Sequence, residues 1–194
     1  MKVTIHQPIH FPYIGFFQKM KSADLFVILD TVKFCKGEFY NRNRFLNKQG
    51  IYEWFTVPVE KDAHKKMIKD VKVSPDYGWR KKLLKQMKIN FGVDFSKIYD
   101  SEKLIDINIK GIEYCRNKLN IDVPMIKASE MNLVDGKTER LVDICKQLNA
   151  TEYISGQSGK EYLNEDLFGD IKINYFESEN DDYDTTLVKI RRNK

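Results

Sequence analysis

Residues 6–20, HQPIHFPYIGFFQKM, constrain the fold of this chain more than any other stretch. A short apolar strand is predicted over residues 2–6, and a helical pattern follows the stretch's second proline. Pro8 and Pro12 fix φ and remove two amide donors, so the connection is neither strand nor helix, and Pro12 favours an extended Phe11. Ligands of α/β sheets bind at such strand-to-helix loops, because strand carboxyl ends and free helix amides meet there. The alternative is a tight turn whose rings fill the core.

The next apolar run completes a βαβ unit. The pattern predicts a helix over residues 14–21 and a buried strand over residues 25–29, LFVIL, which ends at Asp30. A right-handed crossover brings residues 6 and 30 to the same sheet edge. Asp30 is therefore a candidate for contact with a sugar hydroxyl, a metal or a proton, and a helix cap or salt bridge is the alternative.

Composition excludes several classes of protein. The net charge of +5 is a mild excess that permits anionic ligands such as nucleotides. The three cysteines, at positions 35, 115 and 145, are scattered and indicate neither a disulfide framework nor a zinc site. No apolar run approaches ~18 residues and no signal peptide is recognisable, so we expect a cytoplasmic location. At this length, residues 1–176 are expected to form one α/β domain.

A polar cluster precedes a predicted β-hairpin insertion at about residues 44–59, with its turn at 47–50. The cluster, YNRNR, contains Asn41, Arg42 and Asn43. Arginine grips phosphate or carboxylate with two hydrogen bonds, and asparagine can bind hydroxyl groups or a base edge. A solvated loop is the alternative.

The following segment, about residues 76–120, is predicted to be helical after a half-buried strand at 68–73. Its first helix carries Trp79 on the apolar face, and the opposite face is basic: Arg80, Lys81, Lys82, Lys85 and Lys88. A solvated face, a nucleic-acid contact and a partner helix are the three interpretations. A second helix is predicted over residues 105–119.

The last third alternates again between strand and helix. Strands are predicted at residues 121–129, 151–156 and 172–176, with helices after residue 137 and within 157–168. The fold class is therefore α/β, with a mainly parallel sheet and flanking helices. Residues 177–194 are expected to form a polar C-terminal tail.

Two strand-to-helix turns of this last third have the composition of an anion site. Ser155, Gly156, Gln157, Ser158 and Lys160 supply hydroxyls, a glycine and a cation at a helix start. Lys137 and Thr138 stand at the other turn. The pattern is not a Walker A motif, and a simple Ser/Gly helix cap is the alternative.

His6 is the candidate acid or base, because histidine titrates near neutrality. A satisfied, partly buried histidine is the alternative. His6 and His10 cannot share a helical face across two prolines, and His64 is far along the chain, so no metal site is predicted.

An ordered set of motifs resembles the WbqC-like family. It runs from HQP and FPYIGFF through ADLFVILDTVKF, YNRNRF and TVPV, then the Trp79 helix, KTERLVDICKQLNATEYISG, Tyr162-Leu163 and Phe168. Two positions depart from the family pattern: His10 stands at a usual aromatic and Tyr13 at a frequent tryptophan. The resemblance implies an enzyme of surface-polysaccharide (O-antigen) synthesis that N-acylates a nucleotide-linked amino sugar, with glycine as one acyl group.

The opening βαβ unit also resembles the HIGH-motif nucleotidyltransferases and pantothenate synthetases, although Phe16 replaces the second histidine of that motif. This similarity implies an acyl-adenylate route, with ATP and Mg²⁺ as the candidate cofactors. Amide formation needs an activated donor, and an adenylate, an aminoacyl-tRNA and a thioester remain open. The enzyme is thus an N-acyl or aminoacyl transferase, or an ATP-dependent amide ligase.

The predicted site follows from these features. His6 and Asp30 are the catalytic candidates. Substrate binding is assigned to Gln7, Pro8, Tyr13, Gly15, Asn41, Arg42, Asn43 and Trp79. Phosphate binding is assigned to Lys137, Thr138, Ser155, Gly156, Gln157, Ser158 and Lys160. A nucleic-acid (tRNA)-binding protein and a non-catalytic sugar-nucleotide-binding module are the alternative functions.

Overall fold

The structure, a computed structural model, describes residues 1–76, 78–178 and 184–192. The strands are β1 (Lys2–His6), β2 (Leu25–Ile28), β3 (Arg42–Leu46), β4 (Tyr52–Thr56), β5 (Met125–Lys127), β6 (Glu152–Gly156) and β7 (Lys172–Phe176). The helices are α1 (Ile14–Lys21), α2 (Gly78–Phe91), α3 (Leu104–Lys118), α4 (Thr138–Gln147) and α5 (Leu187–Arg192). The predicted mixed α/β class is confirmed.

Five strands form a parallel sheet in the order β5-β2-β1-β6-β7. Counted along the chain within this sheet, the order is 3-2-1-4-5, as in doubly wound folds. The chain moves outward in one direction after β1 and in the other after β6. Right-handed crossovers in opposite directions put α1 and α4 on opposite faces. The central strands are apolar runs because both faces are covered.

The chain divides into two compact units. The first, formed by residues 1–7, 15–29 and 122–181, contains the parallel sheet. The second, formed by residues 8–14, 30–121 and 182–194, contains the antiparallel hairpin β3–β4 with α2, α3 and α5. The expectation of a single domain over residues 1–176 stays a prediction.

The hairpin supplies one wall of the second unit's core. Its inner face buries Phe45 and Phe55, whose rings lie 5.6 Å apart. Phe55 also packs against Phe11, whose centroid is 6.0 Å away, and Phe45 packs against Phe91 at 4.9 Å. Since strand residues alternate between faces, this burial leaves the other hairpin face outside.

Several local predictions are wrong. Residues 68–73 are not a strand: Ile68–Asp70 is a 3₁₀ turn, and Lys72 and Val73 form only isolated bridges. Residues 157–168 form two 3₁₀ segments, Gln157–Glu161 and Glu165–Phe168, instead of an α-helix. Short apolar runs do not distinguish these states by periodicity, because tertiary packing decides between them.

Three other segments differ from expectation. The strand predicted at 121–129 is only the three residues of β5. Phe11, expected to be extended, adopts a left-handed φ of 45°. The segment expected to be a polar tail contains α5, and Leu187 and Val188 are 2% and 1% exposed. The likeness to HIGH-motif enzymes stays a prediction.

Candidate functional site

The carboxyl ends of β1 and β6 form a topological switch point in the first unit. The two strands pair with Thr4 opposite Ile154, and the Thr4 hydroxyl donates to the Ile154 carbonyl across 2.7 Å. Continuing this register sets His6 level with Gly156, one strand spacing away. A Cβ atom added at Gly156 would meet no atom within 4 Å outside its chain neighbours, so the space next to it is open. Ligands of open parallel sheets bind in such a crevice.

His6 ends β1 as a neutral imidazole. Its Nδ1 lies 2.9 Å from the Gln7 carbonyl, which can only accept, so Nδ1 carries the proton and Nε2 keeps its lone pair. Its ring packs edge-on against Phe16 at 4.9 Å. Burial, reinforced by the positive charge of Lys19, lowers the pKa of His6 to about 3. Nε2 can therefore accept a hydrogen bond at neutral pH, but it binds a proton weakly.

Lys19 is a site candidate that the sequence reasoning missed. It lies on α1 and is only 5% exposed, and its Nζ donates to the Ile5 carbonyl across 3.2 Å. Among the described residues this carbonyl is the one hydrogen-bond partner of Nζ. In the ammonium form, two of the three N–H bonds therefore donate to no group of the described protein. Burial lowers its pKa to about 7. The only sequence signal was a charged residue inside an apolar run, FFQKM.

The loop after β6 is compact. Ser155 is 1% exposed, and its hydroxyl donates to the Gly156 carbonyl across 3.1 Å. Gly159 allows this turn to be compact, because an added Cβ would overlap the Ser155 Oγ. The amide of Gln157 donates to the carbonyl groups at the end of β7, across 3.3 and 3.2 Å. Ser158 and Lys160 are exposed.

The predicted phosphate-binding lysines lie over tyrosine rings of the first unit. The Nζ of Lys137 is 3.8 Å from the ring centroid of Tyr162, and the Nζ of Lys160 is 5.3 Å from that of Tyr175. Thr138 ties the two turns together, because its hydroxyl accepts a hydrogen bond from the Asn164 amide. This bond joins the start of α4 to the segment that follows β6, and Lys137 and Lys160 are both exposed. Binding of an anion by these turns stays a prediction.

The proline loop belongs largely to the second unit, where buried amides hold it. Asn43 donates from Nδ2 to the carbonyl groups of His10 and Phe11, across 3.0 and 2.8 Å. Its Oδ1 accepts the Arg44 amide. The hydrogen-bonding groups of Asn43 are therefore engaged within the protein, and its predicted contact with substrate stays a prediction.

His10 and Asn108 form the centre of this network. Asn108 donates to the carbonyl groups of Pro8 and Tyr40, and its Oδ1 lies 3.1 Å from Nδ1 of His10. Nε2 of His10 lies 3.1 Å from the Tyr99 hydroxyl. Burial lowers the pKa of His10 to about 4, so the ring is a neutral structural element at physiological pH. Sequence reasoning missed Asn108, whose signal was an amide within the apolar stripe of a helix.

The other predicted residues have separate local surroundings. Asn41 donates to the Val57 carbonyl across 2.8 Å, and Arg42 donates to the Gly37 carbonyl across 2.6 Å. Trp79 donates from Nε1 to the Ser74 carbonyl across 3.2 Å. Tyr13 forms a bridge with Thr185, Gly15 is buried in α1, and Asp30 is 1% exposed. Their assigned roles stay predictions.

In the described residues, no group of three or more His, Cys, Asp or Glu side chains is arranged to hold a metal ion. None of the helices in those residues has the length and apolar character needed to span a membrane.

Comparison with known proteins identifies the family. The model of the WbqC-like protein family matches residues 7–188. "Uncharacterized protein Rv1507c" of Mycobacterium tuberculosis is 31% identical over 186 residues, which cover 89% of this chain and 79% of that protein. No solved structure matches the chain significantly. With the family model spanning nearly all of its length, the chain belongs to the WbqC-like protein family.

Proposed function

We propose that this protein is an enzyme of surface-polysaccharide synthesis that transfers an acyl group, such as glycyl, to the amine of a nucleotide-linked amino sugar. Family membership supports the biosynthetic context that the sequence resemblance implies. The observation that carries the proposal is the open switch point between His6 and Gly156. Nucleotide ligands of doubly wound sheets bind at such a point.

The first unit offers groups for both ends of this substrate. Lys137 and Lys160 are cations held over tyrosine rings, and the diphosphate of a sugar nucleotide is the anion that suits them. Gln7 is half-buried at the end of β1, and its side-chain amide has no hydrogen-bond partner among the described residues, so it can bind a sugar hydroxyl.

The acyl transfer itself requires a free amine. The amine nitrogen attacks the acyl carbonyl, the C–N bond forms, and the bond to the donor breaks with its electron pair leaving on the donor. The nitrogen loses a proton to a base of the protein, and the donor group takes up this proton from the base on release. Nε2 of His6 can accept a hydrogen bond from the attacking amine and orient its lone pair.

Proton removal matches Lys19 better than His6. A general base works best when its pKa lies near the working pH. The pKa of Lys19 is lowered to about 7, whereas that of His6 is lowered to about 3. We therefore assign the orientation of the amine to His6 and the uptake of its proton to the neutral form of Lys19, which a pKa of about 7 keeps populated at neutral pH.

The residues present do not fit the HIGH-motif route through ATP. Phe16 occupies the position of the second histidine, and its ring is fully buried between His6 and Phe26, with centroids 4.9 and 5.0 Å away. A buried phenyl ring cannot donate a hydrogen bond to a phosphate. We derive no step through ATP.

The test is acylation of a nucleotide-linked amino sugar, followed by mass spectrometry. Three donors are compared: free glycine with ATP and Mg²⁺, glycyl-tRNA, and a glycyl thioester. The expected product carries one added acyl group with one of these donors, and His6→Gln slows its formation by about 10²-fold, because the amine is no longer oriented by the imidazole. If the sugar nucleotide does not bind, or binds without acylation by any donor, the proposal is wrong.

A further inference from the structure

The outer face of the β3–β4 hairpin alternates arginine and aromatic side chains. The guanidinium of Arg42 lies 4.6 Å from the ring centroid of Trp54, and that of Arg44 lies 4.9 Å from the ring centroid of Tyr52. Phe39 stacks beside Trp54 at 6.1 Å with an interplanar angle of 25°. We call these five residues the hairpin platform.

The aromatic side chains of the platform are more exposed to solvent than nearly all others in the described residues. Of the four exposed aromatic side chains in the described residues, three belong to it: Phe39 at 37%, Tyr52 at 54% and Trp54 at 45%. Clustered exposed apolar surface marks interaction sites, whereas isolated exposed rings are ordinary. The opposite hairpin face packs the core, so the platform rings are not required for that packing.

The neighbouring helix extends the positive charge of the platform. Gln86 on α2 donates from Nε2 to the Trp54 carbonyl and the Glu53 carboxylate, across 3.2 and 3.0 Å. Lys82 lies one turn earlier on the same side of this helix. Four lysines of α2 are exposed, and none forms an ion pair within the described part of the chain: Lys81, Lys82, Lys85 and Lys88.

We propose that the hairpin platform, with Lys82 of α2, binds single-stranded nucleic acid. Unpaired bases stack on the exposed rings, and the two arginines and Lys82 contact the phosphates. The charged groups of the platform can donate hydrogen bonds but cannot accept them. They therefore suit a polyanion, which only accepts, better than a neutral sugar, whose hydroxyls also donate. Two copies of the platform would repel each other through like charge.

This proposal does not depend on acyl transfer. It narrows the nucleic-acid interpretation raised by the basic helix to a defined surface in the second unit. The Trp79 indole on the apolar face of that helix donates to the Ser74 carbonyl and packs edge-on against Tyr99 at 6.3 Å, so it is not part of this surface.

The test is fluorescence anisotropy with a labelled oligouridylate of about 10 nucleotides, a length within the usual site size. We expect binding that weakens as salt increases, and weaker binding to a duplex of the same length. Trp54→Ala should lose about tenfold or more in affinity, since one stacked base contributes about 1–3 kcal/mol. Trp54→Phe keeps a stacking ring and should retain most of the affinity.

Ile51→Ala is the matched control, because Ile51 is 62% exposed on the same hairpin and belongs to neither cation–aromatic pair. Its affinity should equal that of the unmodified protein, and circular dichroism checks that every variant is folded. Absence of binding at low salt would overturn the proposal, as would equal binding by the folded Trp54→Ala variant. Self-association through the platform, seen by sedimentation and lost in Trp54→Ala, would also overturn it.

Discussion

Lys19 illustrates at the residue scale how a single side chain can be costly to the fold and useful to a site. Lys19 is 5% exposed, and its ammonium group has one carbonyl partner among the described residues, so it loses much of its hydration energy. Such a group is retained against stability when function requires it.

We therefore expect Lys19→Met to stabilise the protein at pH 7, by about 1–4 kcal/mol, while it abolishes acyl transfer. The folded pKa is lowered to about 7 from the ordinary 10.5, so the folded chain holds fewer protons than the unfolded chain between these values. Stability should then rise with pH over this window in the unmodified protein, and less so in the variant. Urea denaturation at several pH values measures both effects.

Lys21→Met is the control for this prediction, because Lys21 is exposed on the same helix. Its free energy of unfolding should change by no more than about 0.5 kcal/mol. A destabilised Lys19→Met variant would show instead that the ammonium is structural.

Asn108 has the opposite character, since its amide is engaged in holding the proline loop. Asn108→Ala leaves the carbonyl groups of Pro8 and Tyr40 and the ring of His10 without this partner. We expect a loss of about 2–4 kcal/mol in unfolding free energy, because buried polar groups would be unsatisfied. Asn117→Ala, on the exposed face of the same helix, should cost far less in the same denaturation experiment.

At the scale of elements, the end of β6 determines whether the crevice is open. Gly156 has φ −74° and ψ 163°, a conformation that any residue adopts, and its added Cβ meets nothing. The absence of a side chain there is therefore not required by the backbone. It leaves space beside His6.

A graded series of substitutions distinguishes a role of Gly156 in ligand access from a role in stability: Gly156→Ala, Gly156→Val and Gly156→Leu. We expect affinity for the nucleotide-linked sugar to fall progressively with side-chain size, while the free energy of unfolding changes by less than about 1 kcal/mol. Isothermal titration calorimetry and denaturation measure the two quantities. Unchanged affinity in the Leu variant would place the ligand elsewhere.

Gly159 is the contrasting glycine of this element. An added Cβ would contact the Ser155 hydroxyl and approach the Leu163 side chain within 3.1 Å. Its role is therefore packing of the turn, whereas the role that we propose for Gly156 is access to the crevice.

At the scale of the whole molecule, chain connectivity links the two units. Within the described residues the chain passes between them four times, at residues 7–8, 14–15, 29–30 and 121–122. Strands β2 and β5 are paired in the sheet, and the segment that connects them in the sequence includes residues 30–121 of the second unit. Folding of this segment lowers the entropy cost of pairing β2 with β5, because less flexible chain then has to be closed into a loop.

We accordingly expect one cooperative unfolding transition, as the prediction of a single domain requires. Calorimetric and van't Hoff enthalpies should agree, and tryptophan fluorescence and far-ultraviolet circular dichroism should have the same midpoint. Two separated transitions would show that the units unfold independently.

The sequence by itself determined the α/β class, the opening βαβ unit and the hairpin, because these depend on local periodicity and on prolines at fixed places. The apolar runs at β1 and β2 needed no distant partner to be recognised. The strand-to-helix turns also followed from local order, since parallel strands put their carboxyl ends at one edge. Candidate residues at that edge could therefore be named, although their roles stay predictions.

Only the tertiary structure decided which polar groups are buried and what they contact. The bond between His10 and Asn108 joins residues 98 positions apart, and that between Thr4 and Ile154 joins residues 150 positions apart. Local periodicity carries no information about such pairs. The same holds for Lys19. Its place on a helix is typical of an ordinary surface lysine, and only the packing of that helix against the sheet shows that it is buried. Burial and hydrogen-bond satisfaction depend on packing between distant segments, and that packing determines the chemistry available to each side chain.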